Sequence, residues 1–307
     1  MFDANRVLIE AFVTSARQAY REIYPNLDAE FEAGLERAAR TALLTLRKCD
    51  CAYHDLEHTL LVTDAGIAIL RGRQLARGDL TPSSWLQAVV AMLFHDLGYL
   101  RGLLRDDRAD GYLADDSGRR IAPAAGATDA FLTPYHVSRG QMFITERFAN
   151  DPVIDAAVVA SYIEMTRFPV PSEPFYQQLD SIGALVRAAD LIGQMGDPNY
   201  PMKQARLFSE FHETGEAQRL GYQNAAELRA DFPTFFYKQV HPYLSCALDY
   251  LRRTHEGEQW IANLIRHLHG ERMGTEHSGA YVMPGSLEEL LERRAGPPKP
   301  HIAVSND

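Results

Sequence analysis

At 307 residues the chain is long enough for one large domain or two small ones, and 46% hydrophobic with 23% charged residues are ordinary globular proportions. The balance of 31 Lys+Arg against 41 Asp+Glu leaves a net charge of −10, which argues against a dedicated binder of nucleic acid or of an anionic membrane, because both need a basic footprint. No apolar run approaches the ~20 residues of a membrane span, charges interrupt the N-terminal stretch where a signal peptide would be apolar, and three cysteines make no disulfide framework, so a cytoplasmic location is expected.

Apolar residues recur at helical steps along most of the chain. Val7, Leu8, Ala11, Phe12 and Tyr20 share a stripe on the first helix. Further helices are expected over Asp28–Arg47, His54–Arg71 and Ser83–Leu97. Residues 101–135 are rich in Gly, Asp, Arg and Ala and lack periodicity. A stretch this long inside a domain is usually functional or disordered, and this one is placed to cover a site beside residues 95–96. Helices resume over His136–Phe148, Val153–Met165, Asp180–Met195, Met202–Thr214, Ala225–Asp231, Thr234–Arg253 and Gly257–His269. Alternating strand patterns of useful length are absent. An all-α fold is therefore expected, with one domain over residues 1–282, a core at about 50–195, additional helices over 202–270, and a loose Pro-containing tail over 283–307.

Three clusters carry chemistry. Tyr53-His54-Asp55-Leu56-Glu57-His58 sets two imidazoles one helical turn apart. Leu93-Phe94-His95-Asp96-Leu97-Gly98 ends an apolar helix with a His-Asp pair, and Arg187-Ala188-Ala189-Asp190 places a carboxylate within another. A buried Asp without a partner is unfavourable, and the pair is better explained if the three segments meet at a divalent metal. Imidazole with carboxylate suits Zn, Fe, Mn or Ni, whereas an oxygen-only set suits Mg or Ca.

In that order, His58, His95-Asp96 and Asp190 resemble the H…HD…D signature of the HD-domain metal-dependent phosphohydrolase superfamily, over roughly residues 50–195. The resemblance implies an HD-domain helical bundle whose His58, His95, Asp96 and Asp190 hold one or two divalent transition ions: Zn, Mn, Fe or Ni, with Mg admissible at a second site. By similarity to the YHxxxH segment of cyclic-nucleotide phosphodiesterases, His58 is a ligand and His54 protonates the leaving oxygen. A second ligand or a core histidine is the alternative for His54. Asp96 can bridge two ions or serve one. His136-Val-Ser-Arg-Gly140 resembles the HxxxG element of dinuclear HD proteins such as the HD-GYP phosphodiesterases. Those proteins carry paired histidines one helix later, where this chain has Glu164, and the GYP sequence is absent. A second site of His136 and Glu164 is one reading, and a helix-end Glu164 bound to water or to Arg167 the other. Cyclic di-GMP is not favoured.

Arg139, Arg167 and Arg187 are candidates for a substrate phosphate, because a guanidinium holds phosphate oxygens in a fork. A structural ion pair is the alternative for each. The implied activity is hydrolysis of a phosphomonoester or phosphodiester, nucleotides and cyclic nucleotides included, by metal-activated water. The partner is then a small-molecule phosphate ester, with neither nucleic acid nor membrane. The alternatives are a diiron oxygenase of the same superfamily and a non-catalytic nucleotide-binding HD module. Trp85, Phe94, Phe131, Phe143, Phe148, Phe235, Phe236, Tyr243 and Trp260 read as core aromatics, Cys49 and Cys51 as reduced thiols, and His267, His269 and His277 as solvated.

Overall fold

A helix that is apolar on every side has no face to give to water, and Pro82–Phe94 is such a helix: Trp85 through Phe94 are all buried. The computed structural model describes residues 3–25 and 29–269, and this segment lies at their centre. Thr81 opens it with a reciprocal cap, its hydroxyl accepting from the Ser84 N–H at 3.1 Å while the Ser84 hydroxyl accepts from the Thr81 N–H at 3.0 Å. Even its one buried polar residue is paired. Gln87 donates to the Val153 carbonyl at 2.8 Å and accepts from the Asp155 N–H at 3.0 Å.

The described residues form an all-α fold. In chain order the helices are α1 (Ala4–Ile23), α2 (Ala29–Leu46), α3 (Leu56–Arg77), α4 (Pro82–Phe94), α5 (His136–Phe148), α6 (Ala156–Glu164), α7 (Ile182–Met195), α8 (Tyr200–Thr214), α9 (Glu216–Leu220), α10 (Ala225–Phe235), α11 (Ser245–Leu251) and α12 (His255–His269). Helices α2, α3, α6 and α7 surround α4, α5 packs on α6, and α3 and α7 share the most extensive contact. Residues 1–268 form one unit, with the turn near residue 197 inside it. The tail expected over 283–307 and His277 lie outside the described residues. No helix among the described residues is long and apolar enough to cross a membrane.

Several expectations change in detail. The buried stripe of α1 is Ile9, Val13, Ala16 and Tyr20, whereas Val7 and Leu8 face solvent. The buried face shares Tyr20 with the expected stripe and is otherwise turned toward Ile9 and Val13, because a run of apolar residues offers two overlapping stripes. The helix expected from His54 starts at Leu56, since the Asp55 carboxylate accepts the His58 N–H at 3.0 Å and so caps α3. The helix expected over Thr234–Arg253 is broken by a π-helical turn at Phe236–Val240 and a 3-10 turn at His241–Tyr243 before α11. Residues 101–135 carry local structure: the two-stranded hairpin β1 (Tyr112–Leu113) and β2 (Arg120–Ile121), and a 3-10 helix over Asp129–Tyr135. Asp129 is buried there, and Arg101 binds it at 2.6 Å.

Two glycines set how closely the elements approach. A Cβ at Gly193 of α7 would lie 2.5 Å from the Cα of Val62 on α3, so only glycine lets these helices meet at that depth. A Cβ at Gly98 would lie 1.8 Å from the carbonyl oxygen of His136. The turn after His95-Asp96 is thereby pressed against the first residue of α5. Gly98→Ala is expected to destabilise the fold by about 1–3 kcal/mol, the usual penalty of overpacking, read as a lower midpoint in thermal unfolding. An unchanged midpoint would mean that α5 can withdraw freely.

Candidate metal centre

The end of α4 carries His95 and Asp96 inward, at 2% and 3% exposure. His95 Nδ1 lies 2.7 Å from the Met92 carbonyl oxygen. A carbonyl only accepts, so Nδ1 bears the hydrogen and Nε2 of the neutral ring presents a lone pair. That Nε2 faces Asp96 Oδ2 at 3.2 Å and Asp190 Oδ1 at 3.5 Å. From α3, His58 Nε2 reaches the same two oxygens at 3.3 Å and 3.5 Å. Neither His95 Nε2 nor Asp96 Oδ2 has a hydrogen-bond partner. The candidate ligands His58, His95, Asp96 and Asp190 are thus brought together from α3, the end of α4, and α7.

Electrostatics favour the charged form of every member. Burial works against charge on His58 and His95, but Asp96 and Asp190 outweigh it and raise both imidazoles above their usual range. Burial also opposes ionisation of Asp96 and Asp190, and the histidines outweigh it and hold both carboxyls low. The four donors together call for positive charge at their centre. Bonds of about 2.0–2.2 Å to one ion put neighbouring donors about 3.0–3.5 Å apart, which matches the distances here. The set fits a transition ion held by two imidazoles and two carboxylates.

His54 stands beside this group, just outside α3. Its Nδ1 lies 2.5 Å from Glu210 Oε2, and Glu210 Oε1 accepts the N–H groups of Tyr53 at 2.6 Å and His54 at 3.1 Å. Burial disfavours a charged His54, yet the Glu210 charge and hydrogen bond prevail and push the imidazole up to about 9. Glu210 escaped the sequence reading. Its signal is a carboxylate on the buried stripe of α8, in step with Tyr200, Gln204 and Leu207. His136 approaches from the start of α5, with Nδ1 2.6 Å from the Thr133 carbonyl and Nε2 4.0 Å from Asp96 Oδ1. Burial lowers its pKa and keeps it neutral, so its lone pair points at the Asp96 oxygen that His58 and His95 leave free. Solvent reaches the cluster along His54, His136 and Asp190, whose side chains are 15%, 19% and 20% exposed.

Other candidates are engaged elsewhere. Both oxygens of Glu164 are occupied: Oε1 by Arg167 Nε at 2.6 Å and the Tyr176 hydroxyl at 2.5 Å, Oε2 by Arg167 Nη2 at 2.9 Å. Glu164 is therefore the helix-end partner of Arg167, and the expectation that it completes a second metal site is corrected. Arg167 in turn is committed to Glu164 rather than to a substrate. Arg139 is fully buried; its guanidinium binds the carbonyls of Gly98 at 2.7 Å, Leu100 at 2.7 Å and Leu113, and both Asp107 oxygens at 3.1 and 2.9 Å. Its donors clamp the turn after the His-Asp pair to β1 and none is left for a phosphate. Arg187 is buried as well, donating to the carbonyls of Tyr176 at 2.6 Å and Gln178 at 2.9 Å beneath the Tyr243 ring. Burial lowers its pKa to about 10. Arg187 Nε is left without a hydrogen-bond partner, but burial of both guanidinium groups together with these contacts corrects the expectation that Arg139 and Arg187 bind substrate. Two smaller readings also change or gain detail. His267 is half-buried, with Nδ1 2.8 Å from the Met195 carbonyl, and is not simply solvated. Cys49 and Cys51 are free thiols.

The Arg139 clamp has a pH signature. Burial opposes the Asp107 charge, and Arg139 overcomes it and holds the carboxyl below its usual range. A lowered folded pKa gives stability that is complete above the unfolded value near ~4 and is lost as pH falls through the folded value. Asp107→Asn should lower the melting midpoint at neutral pH and flatten its decline on acidification. A variant whose midpoint falls with acid as steeply as wild type would remove the clamp from the acid response.

Comparison with known proteins places the chain. No curated protein matches it, and no solved structure does. A family model described as Npun_R2479-like matches residues 2–272, nearly the whole of the described chain. The chain belongs to the Npun_R2479-like family.

Proposed function

We propose that the protein is a metal-dependent phosphohydrolase that cleaves a phosphomonoester or phosphodiester, with a nucleotide or cyclic nucleotide among the candidate substrates. The reading rests on the resemblance to the HD-domain phosphohydrolases and is carried by one observation: His95 Nε2 and Asp96 Oδ2, buried and without hydrogen-bond partners, converge with His58 and Asp190 on one point. A divalent transition ion held by these four residues would supply Lewis acidity and a water acidic enough to act as a nucleophile near neutral pH.

The chain's own groups account for the rest. Glu210 fixes His54 through Nδ1, which leaves Nε2 to carry a proton toward the leaving oxygen of the ester. Met92 and Thr133, through their carbonyls, fix the hydrogens of His95 and His136 on Nδ1, so both Nε2 atoms stay available as donors of electron pairs. Asp96 turns one oxygen to His58 and His95 and the other to His136, the disposition that a second ion would use. The same surplus of imidazoles would also suit a diiron oxygenase, which would be coloured as purified and would consume oxygen.

Metal analysis with a panel of phosphate esters tests the reading. The wild type should retain one or two equivalents of a transition metal and hydrolyse a member of the panel. Asp96→Ala should lose metal and activity together, and His136→Ala should lose one equivalent if two are present. Full occupancy in Asp96→Ala would overturn the ligand set.

The role of His54 is separable from ligation. His54→Ala should keep its metal and lose ~10²–10⁴-fold in rate, the contribution of one proton-transfer group. Glu210→Gln should lose about 10–100-fold, as for a residue that orients the group in contact with substrate. Both losses should shrink on aryl phosphates, whose leaving groups need little protonation. Loss of metal from His54→Ala would make it a ligand instead.

A further inference from the structure

His54 and His136 do not face each other across empty space. Tyr99, in the 3-10 turn Leu97–Tyr99 that follows the His-Asp pair, lies between them. Its ring centroid is 4.7 Å from that of His54 with 17° between the planes, and 4.4 Å from that of His136 with 16°. The three rings form one nearly parallel stack, and Tyr99 is 2% exposed within it. Cys51 and Ala130 pack against Tyr99, and the side chain of Thr133 bonds its hydroxyl.

Each imidazole is hydrogen-bonded at one atom, His54 Nδ1 by Glu210 and His136 Nδ1 by the Thr133 carbonyl, and His54 also meets the rings of Tyr53 and His58 edge-on. A single hydrogen bond at a ring edge fixes a point and leaves the tilt of the plane free. A flat ring against each imidazole removes that freedom. Gly98 completes the arrangement, because its lack of a side chain lets the His136 carbonyl come close enough for the stack to close.

We infer that Tyr99 is a positioning residue whose ring sets the planes and separation of His54 and His136, both of which lie beside Asp96. The ring carries this role and the hydroxyl does not. The inference extends the proposed function, since the importance of the His54 orientation rests on that reading, but the stack itself can be observed without any activity.

The test has two arms on the full-length protein as purified. In the first, proton resonances of the His54 and His136 rings are assigned by substitution of each histidine, and their ring-current shifts are compared among variants. The shifts should persist in Tyr99→Phe and in Thr133→Val, which spare the ring, and should disappear in Tyr99→Leu. Shifts that survive in Tyr99→Leu, or vanish in Tyr99→Phe, would overturn the inference, and the Phe and Val variants decide it even if the Leu variant does not fold.

In the second arm, rates are compared on an alkyl and an aryl phosphate ester. Tyr99→Phe should stay within about threefold of wild type, and Tyr99→Leu should lose about 10–100-fold on the alkyl ester and less on the aryl ester. An equal loss on both esters would mark a merely structural residue and refute the positioning role. If the wild type cleaves neither ester while the resonances behave as expected, the phosphohydrolase reading fails and the stack stands.

Discussion

Two imidazole nitrogens and two carboxylate oxygens meet at one buried point, and with the rings in the neutral form that a metal binds, their lone pairs repel unless a positive charge lies between them. The surrounding structure holds them there against that repulsion. Helix α4 is buried on every side, so the His95-Asp96 pair at its end is carried to the interior whatever its own preference for water. Helices α3 and α7 bring His58 and Asp190 to the same place because Gly193 lets their backbones touch near Val62. The position of each donor follows from apolar packing, and the donors inherit an unfavourable proximity that a cation would relieve.

Hydrogen bonds then decide which nitrogen of each ring does what. A carbonyl at Nδ1 of His95 and of His136 keeps a hydrogen there, so that Nε2 is the atom left to present a lone pair inward when the ring is neutral, the form that suits a ligand. A carboxylate at Nδ1 of His54 favours the charged ring, the form that suits an acid. Two of the nominated arginines serve the scaffold in a related way. Arg139 and Arg187 are buried and donate to backbone carbonyls, so each ties an irregular segment near the site to the helices. Arg167 holds Glu164 at the end of α6. Guanidinium groups close in sequence to the donors thus stiffen the walls of the site.

Much of this was legible in the residues. The span of α5 coincides with the stretch read from its periodicity, and α7 and α8 begin within two residues of theirs, because an amphipathic stripe is a local signal. Helix α1 shows the limit, since its period was plain while the buried face was chosen by what α2 and α3 offered it. The segment over Thr234–Arg253 kept a helical pattern through a π turn and a 3-10 turn, because apolar spacing does not register a change in hydrogen-bond step.

By itself the sequence determined the all-α class, the burial of α4 and the order of His58, His95, Asp96 and Asp190, since each is expressed in hydropathy and spacing along a few turns of chain. Tertiary structure alone decided that these four meet with unpartnered atoms, that Glu210 from α8 holds His54, and that Tyr99 separates His54 from His136. It also decided that Glu164 and the three arginines turn to structural partners. The physical reason is range: hydrophobic periodicity acts between neighbours on one helix, whereas Glu210 lies 156 residues from His54, and no local preference records which distant group fills the last coordination or hydrogen-bond site.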